Sequence, residues 1–158
     1  MISFLKMIII ASFLILASSC GNVYKWQGLP APVNVTDPRD IEVVEIFNSY
    51  FVSPVFEISN SDNAISIEIV ESIEGDAIGY TKSNFDSSGI YSVKITIERQ
   101  VYESLSLNWY KFVLLHELGH SLGAPHMNTG VMRPQSPRYG SIDKNMLGLV
   151  DWVNLNYF

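Results

Sequence analysis

Two stretches of this chain alternate strictly between hydrophobic and polar residues. In AISIEIV, Ile65, Ile67 and Ile69 face one way and Ser66 and Glu68 the other. In YSVKITIE, Tyr91, Val93, Ile95 and Ile97 oppose Ser92, Lys94, Thr96 and Glu98. A period of two predicts two half-buried strands. Between them AIGYT, Ala77 to Thr81, is a weaker strand set among polar loops, which suits a sheet edge.

Helical spacing governs three other stretches. In TDPRDIEVVEIFNSYF, Asp37 can cap, Pro38 suits the first helical position and Asp40 places negative charge in the first turn. Ile41, Val44, Phe47 and Phe51 then recur along one face. Residues 106 to 122, SLNWYKFVLLHELGHSL, are apolar nearly all round, the mark of a helix buried at the centre of a fold. SIDKNMLGLVDWV has Ser141 as a cap and Asp143 in the first turn. Ile142, Met146, Leu149 and Val153 form its packing face. A first short strand is expected near Val33 and Val35, and another over Val55 to Ile58 after Pro54. The order is strand, helix, several strands, central helix, irregular loop and last helix. It predicts an α+β layer fold with helices on a mixed sheet.

The first twenty residues stand apart. MISFLKMIIIASFLILASSC has Lys6, an apolar run from Met7 to Ala17, then Ser18, Ser19 and Cys20, the form of an export signal. The run is short for a transmembrane helix. Cys20 is the only cysteine, so no internal disulfide can form. Leu16-Ala17-Ser18-Ser19-Cys20 resembles the lipobox of bacterial lipoproteins, with Ala17 where leucine is usual. That resemblance implies lipidation of Cys20 and a membrane anchor on the cell envelope. The alternative is a secreted chain cut near Ser19. Residues 1–19 are therefore read as signal, 20–32 as tether and 33–158 as the functional domain. At 158 residues this is one domain's worth of chain. Its net charge of -6, with no basic cluster after residue 20, gives no footprint for nucleic acid.

All three histidines lie in HELGHSLGAPH, at 116, 120 and 126. Burying His116, Glu117 and His120 in the most apolar helix is costly unless something pairs with them. A metal removes the conflict. His116 and His120, four apart, project from one helical face. Gly123 allows the chain to turn out of the helix, and His126 can return to the same point. Three histidines hold Zn²⁺ and leave a position for water, whose proton Glu117 can accept as it attacks a peptide carbonyl.

This segment resembles the metzincin signature H-E-x-x-H-x-x-G-x-x-H at every specified position. The resemblance implies a zincin fold: a mixed twisted sheet, a central active-site helix, a methionine turn and a closing C-terminal helix. It also implies a zinc-dependent endopeptidase acting on a protein or peptide substrate. Met132 in TGVMRP, with Pro134 behind it, looks like the methionine turn of the matrixin branch. Met127 after the third histidine, and Ser136 where matrixins usually carry a tyrosine, leave the branch open. In this family an edge strand pairs with extended substrate, which points to Ala77, Ile78, Gly79, Tyr80 and Thr81. Pro134 and Tyr139 are further candidates for the substrate pocket. Calcium at the acidic loops around Asp62 and Asp86 is weighed against solvated turns, which the residues favour. A monomer is expected. The rival from another class is an inactive, zinc-stabilised binding lipoprotein.

Overall fold

The computed structural model describes residues 25–104, 107–134 and 141–158. Cys20, the signal and Tyr139 lie outside these described residues. Within them the chain forms five strands and four helices. The strands are β1 (Ala31–Asn34), β2 (Phe56–Ile58), β3 (Ile65–Val70), β4 (Gly79–Asp86) and β5 (Gly89–Glu98). The helices are α1 (Pro38–Asn48), α2 (Arg99–Tyr102), α3 (Leu107–Ser121) and α4 (Ile142–Tyr157). One mixed sheet takes the order β2-β1-β3-β5-β4, parallel throughout except for β4, which runs antiparallel to β5 at the edge. This is a mixed α/β arrangement compatible with the α+β expectation.

The alternation in β3 and β5 holds where the sheet is covered. Ile65, Val93, Ile95 and Ile97 are buried, while Ser66, Glu68 and Lys94 face water. Tyr91 and Glu98 depart from the expected pattern: Tyr91 is exposed with Ile90 buried instead, and Glu98 is buried. The Ile90 N–H donates to the Lys25 carbonyl at 2.9 Å, and Trp26 bridges the same residue. The β4–β5 pairing also shifts register between Asn84 and Phe85. The Trp26 indole donates to the Ser121 carbonyl at 2.9 Å. Thus Lys25 and Trp26, assigned by composition to a tether, pack on the fold. β1 likewise begins at Ala31, inside the expected tether.

Asp37 caps α1 as expected, accepting from the Arg39 N–H at 2.8 Å, with Pro38 behind it. Asp40 does more than charge the first turn. It is buried and accepts a hydrogen bond from the Tyr110 hydroxyl, tying α1 to α3. Phe51 falls beyond the helix end, where it stacks on Phe47 at 5.6 Å. The side chain of Asn48, the last residue of α1, ties the helix to β2 by accepting from the Val55 and Phe56 N–H groups, both at 2.9 Å. α3 packs against β4 and β5 on one side and α1 on another. Phe112, Leu114, Leu115, Leu118 and Leu122 around α3 are completely buried, so the most apolar helix is the core of the domain. Met146, Leu149 and Val153 bury α4 against that core, as its spacing predicts, with Ile142 half-buried.

Candidate metal centre

The site is built on the last two turns of α3 and the loop that follows. His116 and Glu117 are buried, His120 is half-buried and His126 is exposed. α3 closes in a Schellman turn: the Gly123 N–H donates to His120 O at 2.8 Å and the Ala124 N–H to Gly119 O at 3.1 Å. Gly123 has φ +90°, a left-handed conformation that glycine adopts without steric penalty. The chain therefore reverses at once and carries His126 back over the helix. The three ring centroids lie 4.5, 5.3 and 4.7 Å apart, and one ring nitrogen from each lies within 4.8 Å of the others. These three residues could bind a metal ion. Among the described residues no other group of three or more histidine, cysteine or acidic side chains converges this way.

The hydrogen bonds on the far sides of the rings decide what faces the centre. His116 Nδ1 lies 2.7 Å from Val131 O, and His120 Nδ1 lies 2.8 Å from Ala124 O. A carbonyl can only accept, so each Nδ1 carries the proton and each Nε2 presents a lone pair. Those two Nε2 atoms are 3.0 Å apart. Two lone pairs at that distance repel unless a cation lies between them, and so the donor set fits a metal. Burial also favours the neutral, ligating form. It pushes the His116 imidazole below its ordinary value and the His120 imidazole down to about 4, with help from the neighbouring His116.

Glu117 faces the same space. Burial raises its carboxyl to about 7, opposed by a hydrogen bond from Thr81. The Thr81 hydroxyl lies 2.6 Å from Glu117 Oε2, with the Glu117 carbonyl a weaker contact at 3.2 Å.

These side chains lie on the wall of an open cleft of about 1030 Å³. Ala77, Ile78, Gly79, Tyr80, Thr81 and Pro134, the described residues proposed from sequence to meet substrate, all line it. The expected strand over Ala77 to Thr81 is displaced. β4 starts at Gly79 and runs to Asp86, while Ala77 and Ile78 form the approach to it. Its residues GYTKSNFD carry no apolar alternation because an edge strand between a cleft and solvent buries little. Arg133 lines the cleft too, and so do Asp76, Ser83 and Val113, which were not singled out as contacts. Only their place beside the edge strand and α3 could have suggested them.

Met132 is buried, and its thioether occupies the space where a side chain on Gly119 would fall. It packs on α3 at Gly119, where Leu149 of α4 also approaches. Its carbonyl accepts from the Met127 N–H at 2.8 Å, closing the loop. Asp86 is tied into its own turn, accepting from the Ser88 N–H at 2.7 Å. No protein-family model matches the chain, and no curated protein matches it.

Proposed function

We propose that the chain is a zinc endopeptidase of metzincin-like fold, closest to the matrixin branch and exported as a lipoprotein anchored through Cys20. The observation that carries the reading is one constellation: three converging imidazoles and the buried carboxylate of Glu117 on the wall of an open cleft. Zinc suits the donor set. Two nitrogens at tetrahedral positions about 2.0–2.1 Å from it lie roughly 3.3 Å apart, close to the spacing of the helix pair. When bound there, zinc acidifies a water and polarises the substrate carbonyl.

The chain's own residues supply the rest. His116, His120 and His126 would hold the ion, with the first two fixed in the ligating tautomer by Val131 and Ala124. Glu117 accepts the proton of the attacking water and returns it to the leaving amine nitrogen. β4, the edge strand of the sheet among the described residues, offers main-chain hydrogen bonds to an extended peptide, which brings the scissile bond to the cleft wall. Arg133 and Pro134 line the same cleft. The buried thioether of Met132 packs against Gly119, on the helix that carries His116 and His120.

The test supplies the purified chain with zinc, presents an unbiased peptide mixture and runs Glu117→Ala beside it. Cleavage by the parent is expected, with a loss of about 10²–10⁴-fold in the variant and zinc binding retained. Zinc binding by both proteins with cleavage by neither would replace this reading with that of a zinc-stabilised binding lipoprotein.

A further inference from the structure

The base of this site is held from a different element from the one that carries it. Glu117 lies on α3, yet its carboxylate is bracketed by two residues of β4, Gly79 and Thr81. Two apart on a strand, these share a face. The Thr81 hydroxyl, 2.6 Å from Oε2, engages one carboxylate oxygen. The other oxygen occupies the space that a side chain on Gly79 would fill. A Cβ there would lie 2.6 Å from Oε1 and 2.9 Å from Val113 Cγ1. Thr81 pulls on one oxygen and Gly79 leaves room for the other, so a single orientation of the carboxylate satisfies both.

We propose that Thr81 is a positioning residue for the general base, and that Gly79 is glycine to leave that orientation open. The inference rests on the peptidase reading above. A carboxylate has two equivalent oxygens, and a base is efficient when one of them meets the proton it abstracts within hydrogen-bond reach. Thr81 engages Oε2 and thereby presents Oε1 for that exchange. A β-branched residue on a strand has restricted χ1 freedom, so the hydroxyl is aimed before substrate arrives. Because the same strand is the edge of the described sheet, the element proposed to pair with substrate is also the element that orients the base.

The test uses the full zinc-loaded chain. Thr81→Val keeps the volume and removes the donor; Thr81→Ser keeps the donor. Thr81→Val is expected to lower kcat by about 10- to 100-fold, the usual cost of losing an outer-shell partner, with KM and zinc affinity unchanged. Thr81→Ser is expected to return most of the lost kcat. Gly79→Ala should also lower kcat while zinc still binds, because the new methyl turns the Glu117 carboxylate aside.

A second readout needs no turnover. In the metal-free chain at alkaline pH, the Glu117 carboxylate stretch is the infrared band lost in Glu117→Gln. It should shift in Thr81→Val and keep its place in Thr81→Ser. Unchanged kcat in Thr81→Val, or an equal loss in both Thr81 variants, would overturn the positioning role and leave the peptidase reading standing. Failure of the parent to cleave any peptide would overturn both, whatever the infrared band does.

Discussion

The two helix histidines and the loop histidine face one point but are held in different ways. His116 and His120 stand on a helix whose apolar side chains are the core of the domain, and each ring is locked to a carbonyl through Nδ1. His126 is exposed on the segment that leaves the Schellman turn. The helix pair is pre-organised by the fold, and the third ring is delivered to it by the chain reversal at Gly123. A site of this kind acquires its geometry from the core and its completeness from a loop.

The largest effects should come from separating those contributions. His120→Ala removes a pre-organised ligand and leaves two rings on different elements. His126→Ala leaves the i, i+4 pair intact, which still binds as a weaker two-nitrogen site. Competition against a chelator of known affinity is expected to show a greater loss for His120→Ala, beyond the 10- to 100-fold typical of outer-shell changes. An equal or greater loss in His126→Ala would mean that the loop, rather than the helix, carries the pre-organisation.

The metal-free protein offers a second comparison, because the histidine and the carboxylate titrate in opposite senses. His120 is pushed from 6.5 down to about 4. Between those values the unfolded chain binds a proton that the folded chain refuses, so stability falls as pH drops through that window. Glu117 is raised from 4.5 to about 7. Here the folded chain keeps a proton that the unfolded chain has lost, so stability falls as pH rises from 4.5 through 7. Glu117→Gln abolishes the second effect alone. Relative to the parent, it should gain stability across that rise by no more than about 3 kcal/mol. Urea unfolding of both metal-free proteins at ~pH 5 and ~pH 7.5 reads the difference directly. A constant offset between the two proteins would show that Glu117 does not titrate in this range.

How much of this was legible in the sequence follows from what each residue is paired with. That the three histidines and Glu117 would converge was readable because their spacing is local: 116, 117, 120 and 126 lie within a helix and its turn. The packing face of α4 was readable for the same reason, since Met146, Leu149 and Val153 recur at helical intervals. β4 was misplaced because an edge strand beside a cleft has no apolar pattern to betray it. The short helix α2 was not anticipated, for four residues carry no periodicity. The hydrogen bond from Thr81 to Glu117 joins residues 36 positions apart, and that from Tyr110 to Asp40 joins residues 70 apart. Such pairings depend on register and packing, which a single sequence does not display.

The outer shell behind His116 gives an intermediate effect. Gly130 has φ +73°, and a Cβ there would collide with the Asn145 backbone carbonyl. That carbonyl accepts from the Val131 N–H at 2.8 Å, and Val131 O in turn accepts from His116. Gly130→Ala should therefore cost about 1–3 kcal/mol by chemical unfolding and weaken zinc binding as well. His116 would then be the more affected helix ligand, because His120 is held by Ala124 and not by this loop. Stability loss with unchanged zinc affinity would show that the Val131 carbonyl is dispensable to the ligand.

The smallest effect belongs on the open face of the sheet, where it sets the scale for the others. Lys94 and Glu68 pair at 2.5 Å, but their side chains are 54% and 51% exposed. Water and salt screen such a pair, and ordering two long side chains offsets most of the attraction. Lys94→Met should change stability by no more than about 0.5 kcal/mol, and added salt should shrink even that. Zinc affinity should not move, since Lys94 does not border the cleft. A change in zinc affinity here would mean that β5 transmits strain from the open face of the sheet to α3. The distinction between a core-built helix pair and a loop-delivered third ligand would then have to include the sheet behind them.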